Sequence, residues 1–364
     1  MFKKVSVLNV EISGRRVGRL TLTKEYLAAF EYDSSWLNDG FSVSPFYLPL
    51  KPGVFIARKS PFNGLFGVFN DSLPDSWGNL ILDRLLLKNG INPQSLSVID
   101  RLSITGSNGM GALCYQPANH FTTESDSKDI LFLAAEAEKM LKSDYNKTVE
   151  ILVKRNGSSG GARPKIILKL NDGDWLVKFP HSSDKRNIGK KEFLYAQIAR
   201  KCGIEMPETR LFEGKYFGVK RFDIEGGIRF HVHTASGLLY ADHRLPSLDY
   251  ADLCKATWAL TGSIEEVKKI FRLMVFNILT GNRDDHASNF SFIYKNGWKT
   301  APAYDLTPSS GFYDHHSTTV AGQGKPCRSD IMNVAEQVGI NAKMARTILD
   351  EVYENSTKIR AVSL

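Results

Sequence analysis

The sequence predicts an α+β protein in which β-rich segments come first and a mostly helical half follows. Three patterns carry this reading: apolar alternation with period two near the start, hairpin-like strand pairs around a glycine-rich turn, and helical spacing from about Asp249 onward. At 364 residues, 42% hydrophobic and 24% charged, the chain has the composition of an ordinary folded protein with two or three packed units and a sizeable core.

In chain order, Val10, Ile12, Val17, Leu20 and Leu22 alternate around a Ser13-Gly14-Arg15 turn, which is a hairpin pattern. Trp77, Leu80, Ile81, Arg84 and Leu85 then fall at helical spacing, with Asp71, Ser72 or Asp75 as the cap and Gly90 as the stop. The polar stretch 121–129 lacks periodicity and marks a domain edge, before a helix over Ile130 to Leu141. A strand at Lys165 to Leu170, an Asp172-Gly173 turn and a strand at Trp175 to Phe179 follow, then a helix ending at Gly203 and a hairpin turning at Glu213-Gly214. The later patterns are helical apart from FSFIY and WKTAPAYD. The expected organisation is a β-rich subdomain over 1–123, a small sheet carrying a loop over 124–225 and a helical lobe over 226–364.

Composition excludes several classes. The longest apolar run, Ile270 to Leu279, is interrupted by Arg272 and Asn277 and is too short to cross a bilayer, so no membrane partner is expected. The N-terminus has two lysines but no apolar h-region, which makes the cytoplasm the expected location. Cys114, Cys202, Cys254 and Cys327 show no CxxC pairing, against both a zinc site and a disulfide framework. His231, His233, His243, His286, His315 and His316 match no HExxH pattern, and those outside the 282–289 string are read as structural or solvent-facing. A net charge of +8 favours phosphate-rich partners only weakly, because the basic residues are spread along the chain.

The most informative string is Asn282-Arg283-Asp284-Asp285-His286-Ala287-Ser288-Asn289, followed after a β-like hairpin by Ala303-Tyr304-Asp305. Phosphoryl transfer needs a carboxylate that orients the attacking hydroxyl and accepts its proton, together with oxygen ligands for Mg²⁺. In protein kinases a catalytic Asp precedes a metal-binding Asn by five positions, and a second metal-binding Asp arrives after a short hairpin. Asp284, Asn289 and Asp305 reproduce that order. Asn289 and Asp305 offer the hard oxygens that Mg²⁺ prefers. His286 is read as orienting the loop, while Asp285 is left open between a solvated and a functional role.

Upstream, Gly157-Ser158-Ser159-Gly160-Gly161-Ala162-Arg163-Pro164-Lys165 supplies glycines that let backbone amides approach phosphates, although it is not a Walker A motif. Lys178, flanked by Val177 and Phe179, is placed to reach the α- and β-phosphates of ATP, with Glu192 as a candidate partner. The backbone around Val219, Lys220 and Phe222 is the candidate contact for adenine. The nucleotide-binding set is therefore Ser158, Ser159, Gly160, Gly161, Ala162, Lys165, Lys178, Val219, Lys220 and Phe222.

Taken in order, FNDSLPDSWGN, SSGGARPK, WLVKFP, VKRFD, ADHRLPSLDY, NRDDHASNF and APAYDLT resemble the motifs of the HipA family of toxin kinases over most of the chain. The resemblance implies a protein-kinase-like, bilobal fold with an added N-terminal β-rich subdomain, and ATP with Mg²⁺ as cofactors. It makes Asp284 the catalytic aspartate, His286 the histidine of the same loop, Asn289 and Asp305 the metal ligands and Lys178 the ATP lysine. It also makes Ser158 the autophosphorylation site, with the adjacent Ser159 as the alternative; two negative charges there would repel nucleotide phosphates. The better-studied branch carries Gln and Glu where this chain has Arg163 and Pro164. The implied substrate is an aminoacyl-tRNA synthetase, glutamyl-tRNA synthetase by analogy. The implied partner is a helix-turn-helix antitoxin of the HipB type that holds operator DNA.

Two rival readings remain. A phosphoinositide-type lipid kinase shares the Asp-then-Asn loop, but the sequence has no basic amphipathic helix for docking on a membrane. A non-catalytic co-repressor partner of a DNA-binding antitoxin conflicts with intact Lys178, Asp284, Asn289 and Asp305.

Overall fold

The computed structural model describes residues 2–121, 129–142, 149–156, 163–181, 184, 187–242, 244–311 and 313–360. It is an α+β fold, and its contacts divide the chain into two compact units: residues 1–190 with 209–231, and residues 191–208 with 232–364.

The first unit holds two antiparallel sheets. One has the order β4-β3-β2-β1-β5, built from β1 (Val7–Ile12), β2 (Arg15–Leu22), β3 (Ala28–Tyr32), β4 (Val54–Ile56) and β5 (Leu113–Gln116). Ser13 and Gly14 take φ of 51° and 76° between β1 and β2. Positive φ at both turn positions matches the strand twist, which is why the Ser-Gly pair reads as a hairpin. The short helices α1 (Ser34–Asp39) and α2 (Gly67–Asn70) lead to α3 (Ser76–Lys88), α4 (Val98–Thr105), α5 (Ile130–Leu141) and α6 (Val149–Arg155).

The second sheet has the order β6-β7-β9-β8, from β6 (Lys165–Leu170), β7 (Gly173–Lys178), β8 (Thr209–Phe212) and β9 (Tyr216–Lys220). The tiny pair β10 (Ile224–Glu225) and β11 (Ile228–Arg229) follows. Of the three cap candidates, Asp75 caps α3, accepting from the Gly78 amide at 2.6 Å. The apolar stripe of that helix, Trp77, Ile81 and Leu85, packs in one core with Ile166, Leu168, Trp175 and Val177 of the second sheet. Truncating such buried side chains costs about 2–5 kcal/mol each. Helix α3 and the second sheet are thus joined by shared packing, while residues 122–128, where the sequence suggests an edge, lie outside the described residues.

In the second unit, the three-stranded sheet β12-β14-β15 comprises β12 (His231–Thr234), β14 (Ser291–Tyr294) and β15 (Trp298–Thr300), and the pair β13 (Leu248–Asp249) and β16 (Thr318–Thr319) runs parallel. Helices α7 (Ile188–Lys201), α8 (Ala235–Leu239), α9 (Tyr250–Thr261), α10 (Ile264–Thr280), α11 (Arg328–Gln337) and α12 (Ala342–Arg360) supply the rest. The core centres on α10, whose Val267, Ile270, Phe271, Met274 and Val275 are buried. Ser263 caps its start, acidic Glu265 and Glu266 sit in its first turn, and Gly281 with φ of 72° ends it. These features suit the amide-rich and carbonyl-rich ends of a helix. Among the described residues no helix is long and apolar enough to cross a membrane.

Candidate active site

Helix α10 delivers the chain through Gly281 into the Asp284 loop, and a buried polar network fixes the loop in place. Asn282 is 2% exposed and donates its side-chain amide to Asn277 Oδ1 at 3.0 Å and to the Asp305 carbonyl at 3.2 Å. Asn277 in turn donates to the Tyr250 hydroxyl at 2.9 Å, and Tyr250 donates to Asp285 Oδ2 at 2.8 Å. The backbone adds a Ser309 amide bond to the Gly281 carbonyl at 3.1 Å. The start of the loop and the Asp305 segment are therefore tied side by side within this unit.

Asp285, left open by the sequence, is the anchor of the loop. It is 1% exposed. Its carboxylate accepts from Tyr250, lies 2.8 Å from His316 Nδ1, and takes the Ser317 and Thr318 amides at 2.9 and 3.3 Å. The Thr318 hydroxyl donates to the Asp285 carbonyl at 2.5 Å, and the Ser317 amide and hydroxyl both donate to the Arg283 carbonyl. Burial, and secondarily the neighbouring Asp285 charge, push the Tyr250 phenol well above its ordinary value of 10. It therefore stays a neutral donor over the physiological range. Sequence reasoning missed this set because its members lie 31–35 residues from Asp285; the only local hint was a second carboxylate next to the first.

Asp284 itself is exposed, whereas His286, Asn289 and Asp305 are half-buried. Asn289 sits in a one-turn 3₁₀ segment, Ala287–Asn289, with its amide bonded to the His286 carbonyl at 2.8 Å. Its side-chain nitrogen donates to the Asp284 carbonyl at 2.7 Å, which leaves the carboxamide oxygen as the end suited to a cation. Tyr304, next to Asp305, donates to the Ser288 carbonyl at 2.9 Å and lies 2.5 Å from Ser291 Oγ. Asp305 takes φ of 54°, a left-handed conformation that Asp tolerates better than most residues. Among the described residues no three His, Cys, Asp or Glu side chains gather to hold a metal.

In the first unit, Lys178 ends β7 with its ammonium 5.7 Å from the centre of the Phe217 ring. Lys165, opposite it in the sheet register, is 1% exposed, and its ammonium is held by Asp75. Its charge is thus compensated inside the protein. Arg163, where this chain departs from the better-studied branch, forks onto Asp184 with two 3.0 Å bonds. Burial pushes the Asp184 carboxyl up, but Arg163 and the His181 amide outweigh it and hold it below its ordinary value.

Val219, Lys220 and Phe222 lie at and just beyond the end of β9, where the Arg221 amide donates to the Asp174 carbonyl at 2.8 Å. Arg221 pairs with buried Asp223, which also accepts the Gly111 amide at 2.7 Å. Arg229 donates to the carbonyls of Ser107, Gly109 and Gly111 at 2.5–2.7 Å. This segment is thereby locked onto the 107–111 loop. Ser158, Ser159, Gly160, Gly161 and Ala162 lie outside the described residues.

Comparison with known proteins gives the family of the chain. Residues 157–359, more than half of the chain, match the HipA-like C-terminal domain, and residues 8–116 match the HipA N-terminal domain. The chain belongs to the HipA family. Two relatives from Sinorhizobium fredii, both named as candidate kinases, are Y4dM, 24% identical with 99% of this chain and 91% of the relative covered, and Y4mE, 27% identical with 85% and 79% covered. The HipA toxin of Shewanella oneidensis MR-1, solved in complex with HipB and its operator DNA, superposes with a TM-score of 0.71 at 20% identity, covering 98% of this chain and 90% of that one. That likeness shows the kinase-like HipA fold.

Proposed function

We propose that this HipA-family chain is an ATP-dependent serine/threonine protein kinase and the toxin of a toxin–antitoxin pair. The observation that carries the reading is the pairing of adjacent carboxylates: Asp284 exposed at the loop, and Asp285 buried beneath it as the brace. In this reading Asp284 accepts the proton of the attacking hydroxyl. The hydroxyl oxygen bonds to the γ-phosphorus of ATP while the bond to the β,γ-bridging oxygen breaks, and ADP leaves. Mg²⁺, when bound, neutralises charge developing on the phosphates; the Asn289 carboxamide oxygen and the Asp305 carboxylate, both hard oxygens, are the residues that would hold it. Lys178 takes the α- and β-phosphates, the glycine-rich 157–162 sequence would give backbone amides to the phosphates, and His286 steadies the loop.

The substrate in this reading is an aminoacyl-tRNA synthetase in the cytoplasm, glutamyl-tRNA synthetase by family analogy, whose modification arrests translation. Autophosphorylation at Ser158, with Ser159 as the alternative, would expel nucleotide by charge repulsion. A HipB-type helix-turn-helix antitoxin would bind the chain and carry it to operator DNA, as the Shewanella oneidensis complex contains both. The test is incubation of the purified chain with γ-labelled ATP, Mg²⁺ and a cell extract, followed by identification of the labelled proteins. Asp284→Ala and Asp305→Ala should each lower transfer at least ~10²-fold, the scale of a lost proton acceptor or charge-stabilising ligand. Undiminished labelling by either variant, or label on phosphoinositide and no protein, would overturn the proposal.

A further inference from the structure

Lys165 and Lys178 face each other across the β6–β7 ladder, so two ammonium groups rise from directly opposed positions. Opposed like charges destabilise a sheet unless one is compensated. Here the compensation comes from 90 residues earlier in the chain: Asp75 holds the Lys165 ammonium, with side-chain exposures of 6% and 2%. The same helix start binds the strand a second time, because Trp77 Nε1 donates to the Lys165 carbonyl at 3.1 Å. The adjacent residues of the two strands are closed by the Phe179 amide on the Pro164 carbonyl at 2.8 Å. The root of β6 is therefore clamped by charge and by backbone from the N-terminal helix α3, and Lys178 is the residue paired to it.

We infer that Asp75 is a positioning residue for nucleotide binding: through Lys165 it neutralises one of two opposed lysines and fixes the strand that sets the place of Lys178. Lys165 then serves the nucleotide at one remove, and the N-terminal subdomain is a working part of the ATP site. The inference deepens the kinase reading and rests on it. Asn at position 75 keeps a side-chain oxygen that can cap α3 through the Gly78 amide, so Asp75→Asn removes the charge and leaves the cap. Removing one partner of a buried ion pair is strongly destabilising, so the hold of α3 on the root of β6 should weaken.

The experiment titrates ADP with Mg²⁺ into the full-length wild type, Asp75→Asn, Lys165→Met and the double variant by calorimetry, with thermal melts and phosphate transfer from ATP measured in parallel. The expected result is a Kd for ADP raised about tenfold in each single variant, an ATP KM raised in proportion and a kcat within about twofold of wild type. The double variant should be no worse than the poorer single one, since both substitutions break one linkage. A Kd unchanged in folded Asp75→Asn would reduce the pair to a purely structural role and overturn the inference, as would additive losses in the double variant. Should Asp75→Asn not fold, an unchanged Kd in Lys165→Met is equally fatal. Wild-type protein that binds ADP but transfers no phosphate would sink the kinase reading instead, leaving the coupling to be judged from the isotherms.

Discussion

Two neighbouring carboxylates with opposite duties give the sharpest test of the loop. Asp285→Ala strips the acceptor from the Tyr250 hydroxyl, the Ser317 and Thr318 amides and the His316 ring, all of which meet a carboxylate that is 1% exposed. The Ser317 amide keeps the Arg283 carbonyl, while the phenol, the ring and the Thr318 amide lose their acceptor; at about 1 kcal/mol or more each, the loss sums to about 3 kcal/mol. For a unit of this size that is a fall in Tm of roughly 10 °C. Activity should fall as well, even in the cold where the variant is folded, because a shift of about 1 Å in a reacting group costs on the order of 10²-fold in rate.

Asp284→Ala is the control with the reverse signature. Its carboxylate is exposed, so its Tm should stay within about 2 °C of wild type while transfer is lost. Asp285→Asn retains one acceptor oxygen for the two amides and should fall between wild type and alanine on both scales. Differential scanning calorimetry and phosphate transfer on the same preparations decide the matter. An Asp285→Ala protein with wild-type Tm would refute the assignment of Asp285 as the anchor, whatever its activity.

Glu266 and Gly281 extend the tests. Burial pushes the Glu266 carboxyl up, but bonds from the Thr300 hydroxyl and amide and from Lys269 outweigh it and hold it below its ordinary value of 4.5. A depressed folded-state value means stability present above about pH 4.5 and lost as the pH falls. The Tm gap between wild type and Glu266→Gln should therefore narrow from pH 6 toward pH 3; a gap that widens in acid has the wrong sign. Gly281 ends α10 at φ of 72°, and an added Cβ would meet Arg283 only at an ordinary 3.8 Å. The cost of Gly281→Ala is thus conformational, about 1 kcal/mol or roughly 3 °C in Tm, and an unchanged melt would contradict the left-handed cap.

Where local chemistry governs, the fold was legible. The Ser13-Gly14 hairpin, the Asp75 cap, the Glu213-Gly214 turn and the helix ending before Gly203 follow from residues within a few positions of one another. The order Asp284, Asn289, Asp305 stands in the sequence itself, and the structure ties the start of the 282–289 loop to the Asp305 segment. The features that could not be read depend on partners far away in sequence. Lys165 follows a glycine turn and invites a phosphate role, yet its burial is decided by Asp75, 90 residues earlier. His316, grouped with the structural or solvent-facing histidines, proves buried because Asp285 waits for it 31 residues upstream. Two-residue strands such as β13 and β16 carry too few side chains to show a period, and they exist because the chain around Asp285 brings them together.

The arrangement at 284–285 answers a physical conflict. In the proposed reading, a carboxylate that accepts a proton from a substrate must reach outward, so much of the support for its loop falls to a neighbouring residue. The next position carries that support without burying the first, since Asp285 is enclosed while Asp284 is exposed. The supporting carboxyl group is fully enclosed, which is tolerable because two amides, a phenol and an imidazole converge on it. The apolar core alone does not brace the loop. Second-site substitutions that restore transfer to Asp285→Ala should then fall at Tyr250, Asn277, His316 or Thr318, where a new side chain can fill or rebond the vacated acceptor. A selection whose suppressors scatter over the exposed surface would show that the loop is held by something other than this network.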